Sequence, residues 1–224
     1  NILAGYYAKR MGLPVGKLVC ASNANNVLTD FLQTGIYDRQ RDFYQTMSPS
    51  MDILVSSNLE RLLYHLTEDT RQVAAWMQEL TTVGKYNASS LLPALRENFW
   101  AAFADDRVTE EEIRAVYERT EYTLDTHTAV AYRAAEDYRR ETGDARPMVV
   151  LSTASPYKFG ASVLHALGED TAQMDEFAQM ECLHARSGME IPVRLAALRR
   201  AAVLHEGVCE KDGMHAAVLS FAEA

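Results

Sequence analysis

The stretch NILAGYYAKRMGLPVGKLVCASNANNVLTDF, Asn1–Phe31, decides how the rest of the chain is read. Ile2, Leu3, Tyr6, Tyr7 and Met11 recur at helical spacing, and Gly12 with Pro14 ends that helix. Lys17–Ala21 is an apolar run too short for a helix and typical of a strand covered on both faces. Polarity then flips within Ser22-Asn23-Ala24-Asn25-Asn26, after which Val27, Leu28, Phe31 and Leu32 begin a second helix that Gly35 closes. Helix, buried strand, polar switch and helix follow one another as in an open α/β sheet, where ligands bind at the carboxyl ends of the strands.

The same unit is expected twice more. Asp52–Val55 reads as a strand ending on Ser56-Ser57-Asn58, with Ser57 and Glu60 as a capping box before Leu59, Leu62, Leu63 and Leu66. Met148–Leu151 reads as a third strand, with Ser152-Thr153-Ala154-Ser155 as its switch. Between them, residues 67–120 show only helical periods: Val73, Trp76, Met77 and Leu80, then Leu95, Phe99 and Phe103, then a box at Thr109 and Glu112. The expected fold is therefore α/β, a three-layer, open, mostly parallel sheet with flanking helices. Residues 1–66 and 121–170 form its α/β portion and 67–120 a helical insertion. Residues 171–224 bring C-terminal helices and an edge strand at Ala202–Glu206, packed on that portion.

Composition narrows the function. The 224 residues carry a net charge of −9, which argues against a nucleic-acid or anionic-membrane partner. No apolar run approaches the roughly 20 residues that span a bilayer. Three cysteines at unrelated spacings, Cys20, Cys182 and Cys209, suit a reducing, cytoplasmic setting. A chain that opens at Asn1 with a helix already under way is expected to be part of a longer polypeptide. No Walker loop, nucleophile elbow or His-Glu-x-x-His is present, and Cys182-Leu183-His184 alone does not make a metal site.

The three switches offer hydroxyls and amides without charge. Such groups either cap the following helices or orient a polar ligand and, beside a helix amino terminus, an anion. His127, in Asp125-Thr126-His127-Thr128, sits before an Ala-rich helix, where a functional and a structural role are both open. Lys158 follows Pro156-Tyr157 and suits a structural or substrate-charge role.

Five segments carry a resemblance: Asn1–Phe31, TGIYDR at Thr34–Arg39, SPSMDILVSSNLERLL at Ser48–Leu63, DTHTAVAY at Asp125–Tyr132 and LSTASPYKF at Leu151–Phe159. They resemble the C-terminal half of the threonine synthase family, pyridoxal-phosphate enzymes of the tryptophan synthase β-like fold. The resemblance implies that Asn1 closes the loop binding the cofactor phosphate, and that Thr153, with Ser152 beside it, faces the pyridine nitrogen. It places Asn23, Asn25, Asn26, Ser56, Ser57, Asn58, His127, Thr128 and Lys158 on the substrate side. It also implies that the family's Schiff-base lysine lies upstream, in the N-terminal half, so this chain holds no catalytic residue of its own and no metal. The implied reaction of the whole protein turns O-phospho-L-homoserine and water into L-threonine and phosphate. Two departures stand out: Thr126 replaces the family's usual Pro, and Ser155 replaces its His. Another lyase of the same fold, threonine dehydratase-like, and a non-catalytic binding fragment are the alternatives.

Overall fold

The computed structural model describes residues 1–223. The opening unit forms as its sequence dictates. Helix α1 (Ile2–Arg10) leads through a short turn into strand β1 (Leu18–Ser22), and α2 (Val27–Thr34) ends on Gly35, whose φ of 75° is the left-handed conformation glycine adopts freely. A Cβ on Gly5 would sit 2.9 Å from Leu18 Cδ2, so the absent side chain lets α1 lie close on β1.

Strand β2 (Ile36–Asp38) follows, and the chain then wraps irregularly to a 3-10 turn at Pro49–Met51. Next come α3 (Leu59–Thr67), α4 (Thr70–Thr82) and β3 (Lys85–Asn87), which pairs antiparallel with β2. Helix α5 (Leu92–Asn98) runs straight into β4 (Phe99–Phe103), which lies parallel to β1 with Leu18 opposite Phe99 and Ser22 opposite Phe103. Helices α6 (Asp106–Thr120) and α7 (Thr126–Thr142) follow, then α8 (Gly160–Ala166) and α9 (Glu176–Ser187).

Successive side chains of a strand point to opposite faces, and the β1–β4 pair uses both. Cys20, Phe99 and Ala101 join the core beneath α1 and α2, which also contains Phe31, Leu32, Leu63 and Leu95. Tyr6 of α1 stacks on Phe99 at 5.8 Å. On the opposite face Trp100 meets Tyr138 of α7 edge-on at 5.5 Å. Helix, sheet and helix thus form three layers, and a fully buried Leu or Phe in them contributes about 2 kcal/mol by area.

Three expectations are overturned. Residues 67–120 are not purely helical, because β4 pairs directly with β1. Leu95, Phe99 and Phe103 share a helical period, yet α5 stops at Asn98 and the next five residues extend. Asp52–Val55 is not a strand, because the Asp52 carboxylate accepts hydrogen bonds from both the Thr46 amide and its hydroxyl and so bends the chain back. Met148–Leu151 is extended but pairs with no strand among the described residues, and Val149 and Leu151 are 85% and 54% exposed.

Both capping boxes are also replaced. Asn58 precedes α3 without a side-chain cap, while Asp105 caps α6 through the Val108 amide. Thr109 is instead buried in the first turn of α6, bonded to the Asp105 carbonyl.

Residues 1–189 form one compact unit and those from Glu190 a second. The second holds α10 (Val193–Leu198) and α11 (Met214–Ala222). Ala202–Glu206, the expected edge strand, is exposed and unpaired among the described residues. No helix among the described residues is long and apolar enough to cross a membrane.

Candidate functional site

Because β1 and β4 are parallel and α1 runs back along β1, one edge of the molecule collects the carboxyl ends of both strands and the amino terminus of α1. Polar residues gather there, but they divide into a closed set and an open set.

The closed set is the first switch. Asn23, 1% exposed, directs its Nδ2 at Asp52 Oδ1 (2.7 Å), Thr46 Oγ1 (2.8 Å) and Ser48 Oγ (3.1 Å). Its Oδ1 accepts the Asn25 amide proton at 2.9 Å. Asn25 then clamps Tyr44 twice: Nδ2 donates to the Tyr44 carbonyl and Oδ1 accepts its N–H, both at 2.9 Å. Asn26 accepts from Arg41, which also pairs with Asp30 at 2.8 Å. These three asparagines strap the 39–52 segment across the strand ends. None of them caps α2 with its side chain. Asp106 holds the same strap from β4's side by accepting the Met47 amide at 3.2 Å. Burial pushes its carboxyl above the usual range, against the pull of that hydrogen bond.

The second set begins at the amino terminus of α7. Asp125, 1% exposed, accepts the amides of His127 (2.9 Å) and Thr128 (3.2 Å) and the Thr128 hydroxyl. Burial alone would push this carboxyl up; the hydrogen bonds from His127 and Thr128 outweigh it and leave it below the usual carboxylate range. His127 Nδ1 lies 3.5 Å from Asp125 Oδ1, while Nε2 accepts the Ser50 N–H at 3.0 Å and the ring lies 4.7 Å from that of Phe159. Thr128 Oγ1 is 3.2 Å from Ser152 Oγ. Ser152 and Thr153 are exposed, and the Thr153 hydroxyl has no partner among the described residues.

The remaining candidates lie around these. Ser56 donates its amide to the Tyr37 hydroxyl, Asn58 accepts from Arg61, and Ser57 is exposed. Ser56 and Asn58 share with Ile2, Leu3 and Leu28 a cavity of about 70 Å³, which brings them to the first turn of α1. That volume is far below the few hundred Å³ of a cofactor pocket. Asn1 is exposed at the amino end of α1, whose first turn has no side-chain cap and no acidic residue. Lys158 is exposed, its Nζ 5.4 Å from the Phe159 ring centroid.

The geometry thus links Asn23, Asn25 and His127 through the strap and Thr128 to Ser152, and sets Ser56 and Asn58 beside Ile2 and Leu3 in the first turn of α1. The acids that organise both groups, Asp52, Asp106 and Asp125, have no signal in the sequence beyond Asp125's place before a helix. A separate open groove, lined by Tyr7, Arg10, Met11, Tyr64, His65 and Glu68, lies towards the far end of α1 and apart from all of them.

This α/β body has the fold of solved threonine synthases, one of them bound to pyridoxal phosphate. Residues 128–200 match the family model described as threonine synthase, C-terminal. Threonine synthase of Saccharomyces cerevisiae is 40% identical over 183 residues, which cover 75% of this chain and 36% of the relative. Threonine synthase-like 1 of Homo sapiens is 40% identical over 170 residues, covering 75% and 22%. The crystal structure of pyridoxal-phosphate-bound threonine synthase from Brucella melitensis superposes with a TM-score of 0.75 at 35% identity, over 90% of this chain and 39% of that one. The yeast threonine synthase structure gives 0.77 at 33% identity. The chain corresponds to the C-terminal portion of threonine synthases. It spans about a third of the length of the yeast relative.

Proposed function

We propose that these residues form the C-terminal portion of a cytoplasmic threonine synthase, a lyase of threonine biosynthesis that converts O-phospho-L-homoserine and water to L-threonine and phosphate. The observation that supports this reading is the contact of Ser152 with the Asp125–Thr128 turn at the amino end of α7, in a chain similar to threonine synthases over most of its length.

The donor set fits pyridoxal phosphate. An uncapped helix start with no acid in its first turn suits a phosphate. The neutral hydroxyls of Ser152 and Thr153 suit a pyridine nitrogen that is not held protonated. When bound, the cofactor supplies an electron sink for chemistry at the substrate's carbon atoms. The chain's own residues orient and exclude: the asparagine strap covers the strand ends, and His127, Thr128 and Lys158 stand on the substrate side.

The lysine such chemistry needs is not among the five of this chain in our reading. Lys9 donates to the Gly16 carbonyl, Lys17 to that of Glu97 and Lys85 pairs with Asp38. Lys158 lies over Phe159, and Lys211 belongs to the unit that begins at Glu190. The test is phosphate release from O-phospho-L-homoserine with added pyridoxal phosphate. Residues 1–224 alone should release none, whereas a polypeptide joining them to the N-terminal portion of a relative should turn over. Turnover by 1–224 alone would place the lysine here. A cofactor-loaded longer polypeptide that releases pyruvate or 2-oxobutanoate from serine or threonine, but no phosphate, would favour the dehydratase-like alternative; one that binds no cofactor would favour a non-catalytic fragment.

A further inference from the structure

Asp125 is buried among groups the proposed chemistry uses, yet nothing in that chemistry needs a carboxylate there. It is acceptor-only when ionised, and it faces four donors: two amides of the first turn of α7, the Thr128 hydroxyl and the Nδ1 edge of His127. The Ser50 N–H points at His127 Nε2, so that nitrogen must present a lone pair and the ring proton belongs on Nδ1, which faces the Thr126 hydroxyl at 3.3 Å and Asp125 Oδ1 at 3.5 Å. Thr128 has one hydroxyl proton. Thr128 Oγ1 is placed to donate to both Asp125 Oδ2 and Ser152 Oγ, and the carboxylate, as the charged acceptor, has first claim on that proton while Ser152 stands 3.2 Å away.

We propose that Asp125 is the positioning residue of this site. One buried carboxylate, with the Thr126 hydroxyl beside it, stabilises the Nδ1-protonated His127 that the Ser50 N–H requires, so keeps the strap docked through Ser50, and holds the Thr128 hydroxyl beside Ser152. The proposal rests on the threonine synthase reading for what these groups serve, but its geometry stands without that reading. Capping alone would be a smaller role: a serine at position 125 could still accept one amide of α7, yet it would offer no charge to His127 and no second oxygen to Thr128.

The test uses the intact protein labelled with 15N-histidine and without added cofactor, so that it does not depend on catalysis. In the wild type at neutral pH, the ring shifts should report His127 protonated on Nδ1 and bare on Nε2, with the Ser50 amide protected from exchange. Asp125→Ser, which keeps a helix cap, should let the two tautomers mix and speed Ser50 exchange roughly tenfold, the loss of about one hydrogen bond. Asp125→Glu should restore part of both. A wild-type His127 protonated on Nε2 overturns the proposal without touching the enzyme reading, and needs no variant to fold. An unchanged tautomer and unchanged Ser50 exchange in a folded Asp125→Ser protein reduces Asp125 to a cap and overturns it equally.

Discussion

Ser22–Asn26 and Ser152–Ser155 are written in the same alphabet of small, neutral, polar residues, and both follow short apolar runs. Their fates differ. In the first, Asn23 and Asn25 are buried and their side-chain amides are spent on Tyr44, Thr46, Ser48 and Asp52. In the second, Ser152 touches Thr128 and Thr153 faces outward with no partner among the described residues. A polar cluster that has found all its partners inside the chain is architecture, because its groups have no capacity left to recognise anything. A cluster that has not is where a ligand can be bound at no internal cost.

The comparison breaks most readily at Asn23. Asn23→Ala strips Asp52, Thr46 and Ser48 of a shared donor in a buried site, and should cost about 3 kcal/mol; a urea midpoint measured against wild type checks it, and a near-neutral result would mean the strap is not held here. Acid comes next. Asp125 sits below the usual carboxylate range in the folded state, so the unfolded chain binds the extra proton, and the contribution is present above about pH 4 and lost as pH falls further. Asp125→Asn should flatten that part of the stability-versus-pH curve. Asp106 has the opposite sign, because its raised carboxyl penalises the fold when ionised, so Asp106→Asn should not weaken the protein at neutral pH. The smallest effect on stability belongs to the open cluster: Thr153→Val should shift the melting free energy by less than about 0.5 kcal/mol. In the cofactor-loaded longer polypeptide it should change the cofactor's absorption and lower turnover. An unchanged spectrum there would remove Thr153 from the site.

Thiol labelling sharpens the contrast between inside and outside. Burial pushes the Cys20 thiol up to about 11, while Cys209 is exposed. A thiol reagent at neutral pH should therefore label Cys209 and spare Cys20 until the protein unfolds.

Helices were legible where they ended in a physical stop: Gly35 and Gly143 close α2 and α7 in left-handed conformations, as their places in the sequence predict. The first strand was legible from its length. The second strand of the sheet was not, since Phe99-Trp100-Ala101-Ala102-Phe103 keeps the i, i+4 spacing that began at Leu95, and only pairing with β1 settles it as extended. Asp52 was hidden in the same way: a carboxylate at the head of Asp-Ile-Leu-Val gives no hint that Asn23 and Asn25, nearly thirty residues earlier, will fold onto it. The candidate residues could be named from the chain, but whether each is closed or open depends on contacts between distant segments. No local pattern encodes that.

The pairing of Leu18 with Phe99 has a consequence in time as well as in space. The two strands are separated by about eighty residues, so β1 leaves the ribosome well before β4, its partner among the described residues, exists. At ordinary synthesis rates it waits roughly 4 to 16 s for β4 to be made. During that wait the edge that β4 will take is open, a feature that invites pairing with other chains. The helices made in between, α2 and α3 above all, can cover part of it first, and the order in which they are encoded is itself a protection of the nascent chain.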